Sequence, residues 1–362
     1  MRLLRLLWPT LPVSVLSVTS VVKTPLSPAA FAALPTRAQL RRVAQLAHHA
    51  LPLYGLPPDS DVRLLNYSEN ATYLVTPPAP APRRVLRINR PGYHPRAHLV
   101  SELAWIQALR RDTSVLTAEP LPGLDGEFIQ HLWHPAVPEP RHCVLIDFLP
   151  GAEPDESNRH AAFALLGEVT AQLHRHAAAW RPAVPILRHR WDFDTMLGPR
   201  GHWGRWQDGL GVTTTLHRHL GRAIAVLRPR IESLGTSRAR FGLVHADLRA
   251  ANLLVHEGRV AVIDFDDCGH SWFIYDLAAA LSFIETHPEV PALIEAWLSA
   301  YTRHRRLSRA EIAAIPSFIL LRRLLLVAWI GSHADTAQAQ AMGPKFTTDT
   351  CTLADAYLSK FA

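Results

Sequence analysis

Apolar positions along this chain follow two rhythms, and the change between them falls near residue 149. Thr36 stands where a helix cap would, ahead of Leu40, Val43, Ala47 and Leu51, which share one helical face. After the Pro57-Pro58 turn, 61–65 and 72–75 read as strands flanking 66–71, and 85–88 is a third short strand closed by the turn Arg90-Pro91-Gly92. Leu99, Val100, Leu103 and Ile106 mark a helix with Glu102 on its flank, and 128–132 and 143–148 read as two further strands. Short strands around one embedded helix predict a small α+β lobe over 36–148, and Leu149-Pro150-Gly151 makes a natural hinge.

Residues 149–362 read as a second, larger and mainly helical lobe. Helical period runs through 159–180, 213–234, 275–285, 292–304, 310–330 and 336–358. The exception is a hairpin signal, in which 253–256 and 260–263 flank Glu257-Gly258. At the other end of the chain, Arg2 and Arg5 lead into an apolar stretch that Pro9, Pro12 and several Ser and Thr interrupt. It falls short of the ~18 uninterrupted apolar residues that a membrane span needs. Residues 1–35 are therefore expected to be a poorly ordered extension, with no membrane span.

At 362 residues, with 48% apolar and 19% charged, the composition is that of a globular protein. Cysteines at 143, 268 and 351 are too few and too scattered for a disulfide framework or a CxxC zinc site, a usage that fits a cytoplasmic chain. Lysine occurs only at 23, 345 and 360, never after a glycine, so no GxxxxGK[ST] loop can be written and P-loop chemistry is excluded. HExxH and GxSxG are also absent. The net charge of +7 is carried by arginines, with pairs at 41–42, 83–84, 110–111, 305–306 and 322–323. Most of these pairs sit in patterns that read as helix surface, so no nucleic-acid partner is expected. His174-x-His176 and His217-x-His219 also read as helix surface rather than metal sites.

The chemistry-bearing segment is LVHADLRAANLLVHEGRVAVIDFDD, residues 243–267. It holds His245-x-Asp247-x-x-x-x-Asn252, the hairpin, and then Asp264-Phe265-Asp266-Asp267. Phosphoryl transfer from Mg·ATP needs one carboxylate to orient the attacking hydroxyl, and an amide oxygen and a second carboxylate to hold magnesium against the phosphates. Asp247 and Asn252 on one loop, with Asp264 across a tight hairpin, bring three such oxygens together. Magnesium takes one or two carboxylates plus phosphate oxygens, which this set supplies.

With SENATYLV, VLRINRPGY and YDLAAAL, this segment resembles the aminoglycoside phosphotransferase and choline kinase superfamily, from about residue 36 to the C-terminus. The resemblance implies a two-lobed protein-kinase-like fold, with a small strand-rich N-lobe over 36–148 and a helical C-lobe over 149–362 that carries the catalytic hairpin. Asp247 would be the catalytic base, Asn252 and Asp264 the Mg²⁺ ligands, His245 a brace for the catalytic loop and Asp276 its structural support. Arg249 would touch the γ-phosphate of ATP or face solvent. In the family a strand lysine holds the phosphates and pairs with a helix glutamate. Here Arg87 and Glu102 stand in those places, and arginine differs from lysine in reach and shape. Ser68–Thr72, with Ser68 and Asn70, replaces the glycine-rich loop of protein kinases. Asp147, Phe148 and Leu149 at the hinge would present backbone groups to adenine.

Ala246 and Asp266 depart from the regulated protein kinases, which carry an arginine and a glycine at those positions. The reading is an ATP- and Mg²⁺-dependent phosphotransferase acting on a small-molecule hydroxyl, of the aminoglycoside-, choline- or homoserine-kinase kind. Its rivals are a stress-type bacterial Ser/Thr kinase of the same superfamily and a catalytically weak nucleotide-binding module. Trp191, Trp203 and Trp206 read as a hydrophobic cap between helices before they read as a wall for a cationic or sugar-like acceptor. Neither the acceptor nor the oligomeric state follows from the sequence.

Overall fold

Strand alternation decides how the N-terminal half is layered. The computed structural model describes residues 26–67 and 70–362. Helices α1 (Pro28–Ala32) and α2 (Thr36–Ala50) precede strands β1 (Asp61–Tyr67), β2 (Ala71–Thr76) and β3 (Arg84–Ile88). Helix α3 (Arg96–Asp112), the two-residue strands β4 (Leu116–Thr117) and β5 (Pro120–Leu121), then β6 (Ile129–Leu132) and β7 (Arg141–Asp147) complete the lobe. The antiparallel sheet runs β1-β2-β3-β7-β5, and β6 also pairs with β7. Tyr73, Val75, Leu86, Ile88, Cys143 and Leu145 point to one face and pack on Val43, Leu46, Ala47 and Ala50 of α2. The neighbours of those positions point the other way, where Val144 and Ile129 join Leu99, Leu103, Ile106 and Leu109 of α3 in the core of the helical half. The lobes therefore share one core across the sheet.

Two expectations for this half change. Residues 26–35, expected within an unstructured extension, hold α1, capped by Ser27, and bury Phe31 against the α2 face. The rest of that extension, with its signal-like stretch, lies outside the described residues. Thr36 is the first helical residue of α2, and Pro35 occupies the cap position without a side-chain bond.

The C-terminal half contains α4 (Arg159–Ala179), β8 (His189–Arg190), α5 (Phe193–Leu197), α6 (Thr214–Glu232) and β9 (Phe241–Val244). It continues with β10 (Leu253–His256), β11 (Arg259–Val262), β12 (Gly269–Trp272), α7 (Tyr275–Ala280), α8 (Val290–Thr302), α9 (Arg309–Ser332) and α10 (Ala337–Phe361). The β10–β11 hairpin turns on Glu257 and Gly258, both at positive φ (49° and 75°), as a two-residue turn that follows strand twist requires. Strand β4 of the N-lobe adds to β11 in parallel, and β12 lies between β8 and β9. Helix α4 presses on α8 so closely that a Cβ at Gly167 would come within 2.2 Å of the Trp297 carbonyl oxygen.

Helix α9 is the one described helix long and apolar enough to cross a membrane, and most of it is buried inside the C-lobe. Arg322 and Arg323 on α9 were expected on a surface, yet both are buried. Arg323 donates to Glu285 Oε2 (2.8 Å), Thr350 Oγ1 (2.8 Å) and the Phe346 carbonyl (2.9 Å). His174 and His176 of α4 are also buried. In each case a polar partner from another element makes burial tolerable, and no local pattern reports such a partner. The helix expected over 275–285 stops at Ala280, and Phe283 beyond it takes φ of 72°.

Candidate active site

The loop after β9 carries the central residues, and one carboxyl group holds it in shape. Asp276, at the start of α7 and fully buried, accepts the backbone N–H of His245 (3.0 Å, Oδ2) and of Ala246 (2.8 Å, Oδ1). Ala246 sits at φ of 67°, a left-handed conformation that costs a residue with a Cβ about 1–2 kcal/mol. Two hydrogen bonds from a buried carboxyl group offset that cost. The ring of His245 is completely buried, reaches the Ile263 carbonyl (3.1 Å) and packs against Phe265. Its location makes it a positioning residue that ties the loop to the hairpin. Burial lowers its pKa, against the pull of Asp276 and Asp247.

Asp247 follows at the cleft. Its Oδ1 accepts from Arg322 (2.7 Å) and Arg249 (3.2 Å), and its Oδ2 accepts from the Asn252 amide (3.1 Å). Burial alone would raise its pKa, but Arg249 and Arg322 outweigh it and hold the group below the usual carboxylate range. Asn252 also donates to the Asp247 carbonyl (2.8 Å). Both bonds use its amino group and leave the amide oxygen out of this contact.

Asp264 ends the hairpin at φ of 63° and opens to water in the cleft. The protein packed around it, then Asp266 and Asp247, raise its pKa to about 7, and Arg87 offsets this only in part. Asp266 behaves oppositely. Burial would raise it, but His94, Arg87 and Arg188 pull it far below the usual range. Arg188 donates to the carbonyl groups of Asp266 and Cys268 and so fixes this segment.

Arg87 points to the cleft because Leu86 and Ile88 point to α2. Its guanidinium grips Glu102 of α3 with two parallel bonds (2.7 and 3.0 Å) and lies 3.5 Å from Asp266 Oδ1. Burial opposes its charge, and Glu102 and Asp266 more than restore it. The neighbouring arginines are engaged elsewhere, Arg83 over the Phe148 ring (4.0 Å) and Arg84 on Asp147 (2.5 Å). Asp147 also donates its backbone N–H to the Glu119 carbonyl (2.9 Å), so that N–H is already engaged within the lobe. Phe148 and Leu149 follow it into the hinge. Ser68 lies outside the described residues. Asn70 turns its side chain inward, where it accepts from Asn89 (3.3 Å) and from the Arg90 backbone (3.2 Å).

Trp191, Trp203 and Trp206 are buried, as a cap would be, yet two of their indoles also reach the site. Trp191 donates to the Asp267 carbonyl (2.8 Å), and Trp203 donates to the Tyr93 hydroxyl (3.1 Å), which donates to Asp267 Oδ1 (3.2 Å). Burial, then Asp247, Asp266 and Asp264, raise the Asp267 carboxyl well above its usual range. Beside it is a cleft of about 270 Å³ lined by Arg90, Tyr93, His202, Trp203 and His333.

Sequence reasoning missed Arg322 and Asp267. Arg322 also bonds Tyr275, Ser282 and the Ala246 carbonyl, so it secures the loop from the side opposite Asp276. An arginine in a run of leucines was the available signal, because such a residue needs a buried acceptor.

A family model described as "Phosphotransferase enzyme family" matches residues 62–311. The structure of the microcompartment-associated aminopropanol kinase is similar at a TM-score of 0.81 and 39% identity, covering 88% of this chain and 98% of that one. The amicoumacin kinase of Bacillus subtilis strain 168 is 26% identical over 298 residues, 78% of this chain and 83% of its own. An amicoumacin kinase in complex with AMP-PNP, Ca²⁺ and Ami has the same fold, with a TM-score of 0.72 at 22% identity over 88% of this chain and 96% of that one.

The double hold on the loop is open to test. Arg322→Met should destabilise the chain by about 1.5–3 kcal/mol in urea unfolding, the usual worth of a charge-assisted bond. It should also let the Asp247 pKa rise in a carbon-detected NMR titration, with Arg322→Lys intermediate. A carboxyl that titrates as before would show that Arg249 alone sets it.

Proposed function

The chain belongs to the phosphotransferase enzyme family and is a kinase of a small-molecule hydroxyl, and from that premise we propose that it uses ATP and Mg²⁺ to phosphorylate a small amino alcohol. The carrying observation is the tie of Asp267 to the cleft wall through the Tyr93 hydroxyl, which Trp203 also bonds, with the Asp267 carboxyl raised well above its usual range by burial and by Asp247, Asp266 and Asp264 while Arg249 and Arg322 hold Asp247 below it.

Asp247 accepts the hydrogen bond of the acceptor hydroxyl and takes its proton as the oxygen attacks. Being ionised far below neutral pH, it keeps that capacity throughout the physiological range. Arg322 and Asn252 fix its two oxygens, so little reorganisation is needed. Asp264 and the amide oxygen of Asn252 would hold the metal. The fit is chemical, since a carboxyl raised to about 7 by the protein packed around it, and then by Asp266 and Asp247, would be favoured in its charged form by a divalent ion. Bound Mg·ATP would supply the phosphoryl group and neutralise the charge that develops on it. Arg87, braced by Glu102, would face the phosphates, and Arg249 would leave Asp247 for the γ-phosphate. Phe148 and Leu149 would receive adenine.

Asp267 is the group suited to the amine. An ammonium beside it would relieve the repulsion from Asp247, Asp266 and Asp264, and the faces of Tyr93 and Trp203 lie nearby. The 39% identical aminopropanol kinase, named for an acceptor with an amine and a hydroxyl, supports this class. A cleft of about 270 Å³ with the buried Trp203 in its wall favours a small acceptor over a protein.

Incubation with Mg·ATP and a panel of amino alcohols, including aminopropanol, should give phosphorylated product. Asp247→Asn should lower kcat by about 10²–10⁴-fold while calorimetry shows unchanged affinity for the nucleotide. Turnover equal to that of the parent would remove Asp247 from the reaction.

The raised pKa of Asp264 fixes a pH dependence. A proton bound below about pH 7 competes with the metal, so Mg²⁺-dependent binding of AMP-PNP should strengthen as pH rises through 7 and level off above it. The metal-free chain should show the opposite trend from this group, losing stability as pH rises from about 4 through 7. Thermal shifts with and without Mg²⁺ read both. A profile shared by Asp264→Asn would assign the metal elsewhere.

Asp267→Asn should raise KM for aminopropanol about ten- to a hundredfold, the usual weight of a lost charge-assisted contact, and leave KM for ATP unchanged. An unchanged acceptor KM in steady-state kinetics would place the amine at another group.

A further inference from the structure

Three imidazoles from separate parts of the chain converge next to the cleft. His94 lies in the connection from β3 to α3, His98 in the first turn of α3, and His189 on β8. One ring nitrogen of each lies within 4.8 Å of those of the other two. Ring centroids are 5.8 Å apart for His94 and His98, 5.0 Å for His94 and His189, and 4.8 Å for His98 and His189.

Packing alone gives no reason for this arrangement. The His94 side chain is 1% exposed, and neither of its ring nitrogens has a hydrogen-bond partner among the described residues. Nδ1 of His98 is buried and unpartnered as well. Every imidazole carries at least one N–H, so a buried ring without an acceptor gives up hydrogen bonds that water would have supplied. A proton on His94 would be met by Asp266, but it leaves the buried Nδ1 of His98 without a partner, and protonating all three rings would set three cations together beside Arg188. A cation that accepts imidazole lone pairs does resolve it.

We propose that His94, His98 and His189 bind one divalent transition-metal ion of the zinc type, at a site separate from Asn252 and Asp264. Nitrogen donors select this class, whereas Mg²⁺ selects oxygen. Zinc bonds of about 2.0–2.1 Å place tetrahedral ligand atoms ~3.3 Å apart, so the rings close by side-chain rotation on binding. Asp266 Oδ2 stands 3.5 Å from Nε2 of His94, as a carboxyl does when it orients a ligand imidazole. His202, with its centroid 4.3 Å from that of His189, is a side chain in reach for a fourth ligand.

The ion would join elements of both lobes. Helix α3 belongs to the N-lobe and carries Glu102, the partner of Arg87, whereas β8 belongs to the C-lobe. Occupancy would therefore pin α3 against the C-lobe and restrict separation of the lobes across the cleft. The site does not depend on which acceptor the enzyme uses.

The test uses the full untagged chain, stripped with a chelator and titrated with Co²⁺ in excess Mg²⁺. We expect one equivalent of Co²⁺ to bind with the visible absorption of a nitrogen-rich, low-coordinate site, and one equivalent of Zn²⁺ to abolish that absorption. Zn²⁺ should also raise the unfolding temperature. His98→Ala and His189→Ala are at partly exposed positions, and each should weaken Co²⁺ binding at least about a hundredfold while keeping the metal-free unfolding temperature. His217→Ala, at an exposed histidine elsewhere, should bind as the parent does. No stoichiometric binding by the parent overturns the proposal, and so does binding that survives in both variants.

Discussion

The carboxyl group of Asp276 is the constraint on which the site depends. A buried acid must find donors, and this one takes two from consecutive backbone amides of a strained loop and faces a third group, Nε2 of His174 at 3.0 Å. His174 continues to the Tyr301 hydroxyl (2.9 Å), which accepts from Arg305 (2.9 Å), so α4, α7 and α8 all bear on the loop. The chain of donors is self-consistent when Nε2 of His174 carries its proton, and burial keeps that ring neutral by lowering its pKa. Asp247 reaches the cleft floor in one orientation because the residues before it have no freedom to place it elsewhere.

A second constraint is the shared core. Had α3 packed only on its own sheet, the two halves would be free to move as separate bodies. Instead its apolar stripe continues into the helical half, and Trp105 meets Phe265 edge-on at 5.5 Å, next to the Asp264 turn. The Arg87–Glu102 pair and the hairpin thus rest on one packed interior. Strand β4 adds to this by pairing in parallel with β11.

Charge is arranged less evenly. Asp247, Asp264, Asp266 and Asp267 lie close enough to repel one another, and the arginines around them are not shared equally. Arg322 and Arg249 serve Asp247, Arg87 and Arg188 serve Asp266, and Asp264 and Asp267 receive less. The two underserved groups face the cleft. Such an imbalance costs stability in the empty protein and would be relieved by a cation beside either group.

Much of this was legible in the sequence, for a physical reason. The hairpin, the helices and the spacing from His245 to Asp264 are local, and turn chemistry and periodicity fix local geometry. Alternation along β3, with Leu86 and Ile88 toward α2, likewise sets which way Arg87 points. Burial of polar side chains was not legible. His174 and His176 carry the same local pattern as surface residues, the leucines around Arg322 and Arg323 only hint at burial, and partners far along the chain decide that all four are inside. The two-residue strands β4 and β8 were invisible for the same reason, since pairing and not composition makes them strands. The meeting of His94, His98 and His189 needed both lobes in place, because nothing in a sequence measures the distance between a loop before α3 and a strand ninety-odd residues later. What the sequence determined is the order of the chemistry along the chain, and what the tertiary structure decided is which charges would be left without a partner.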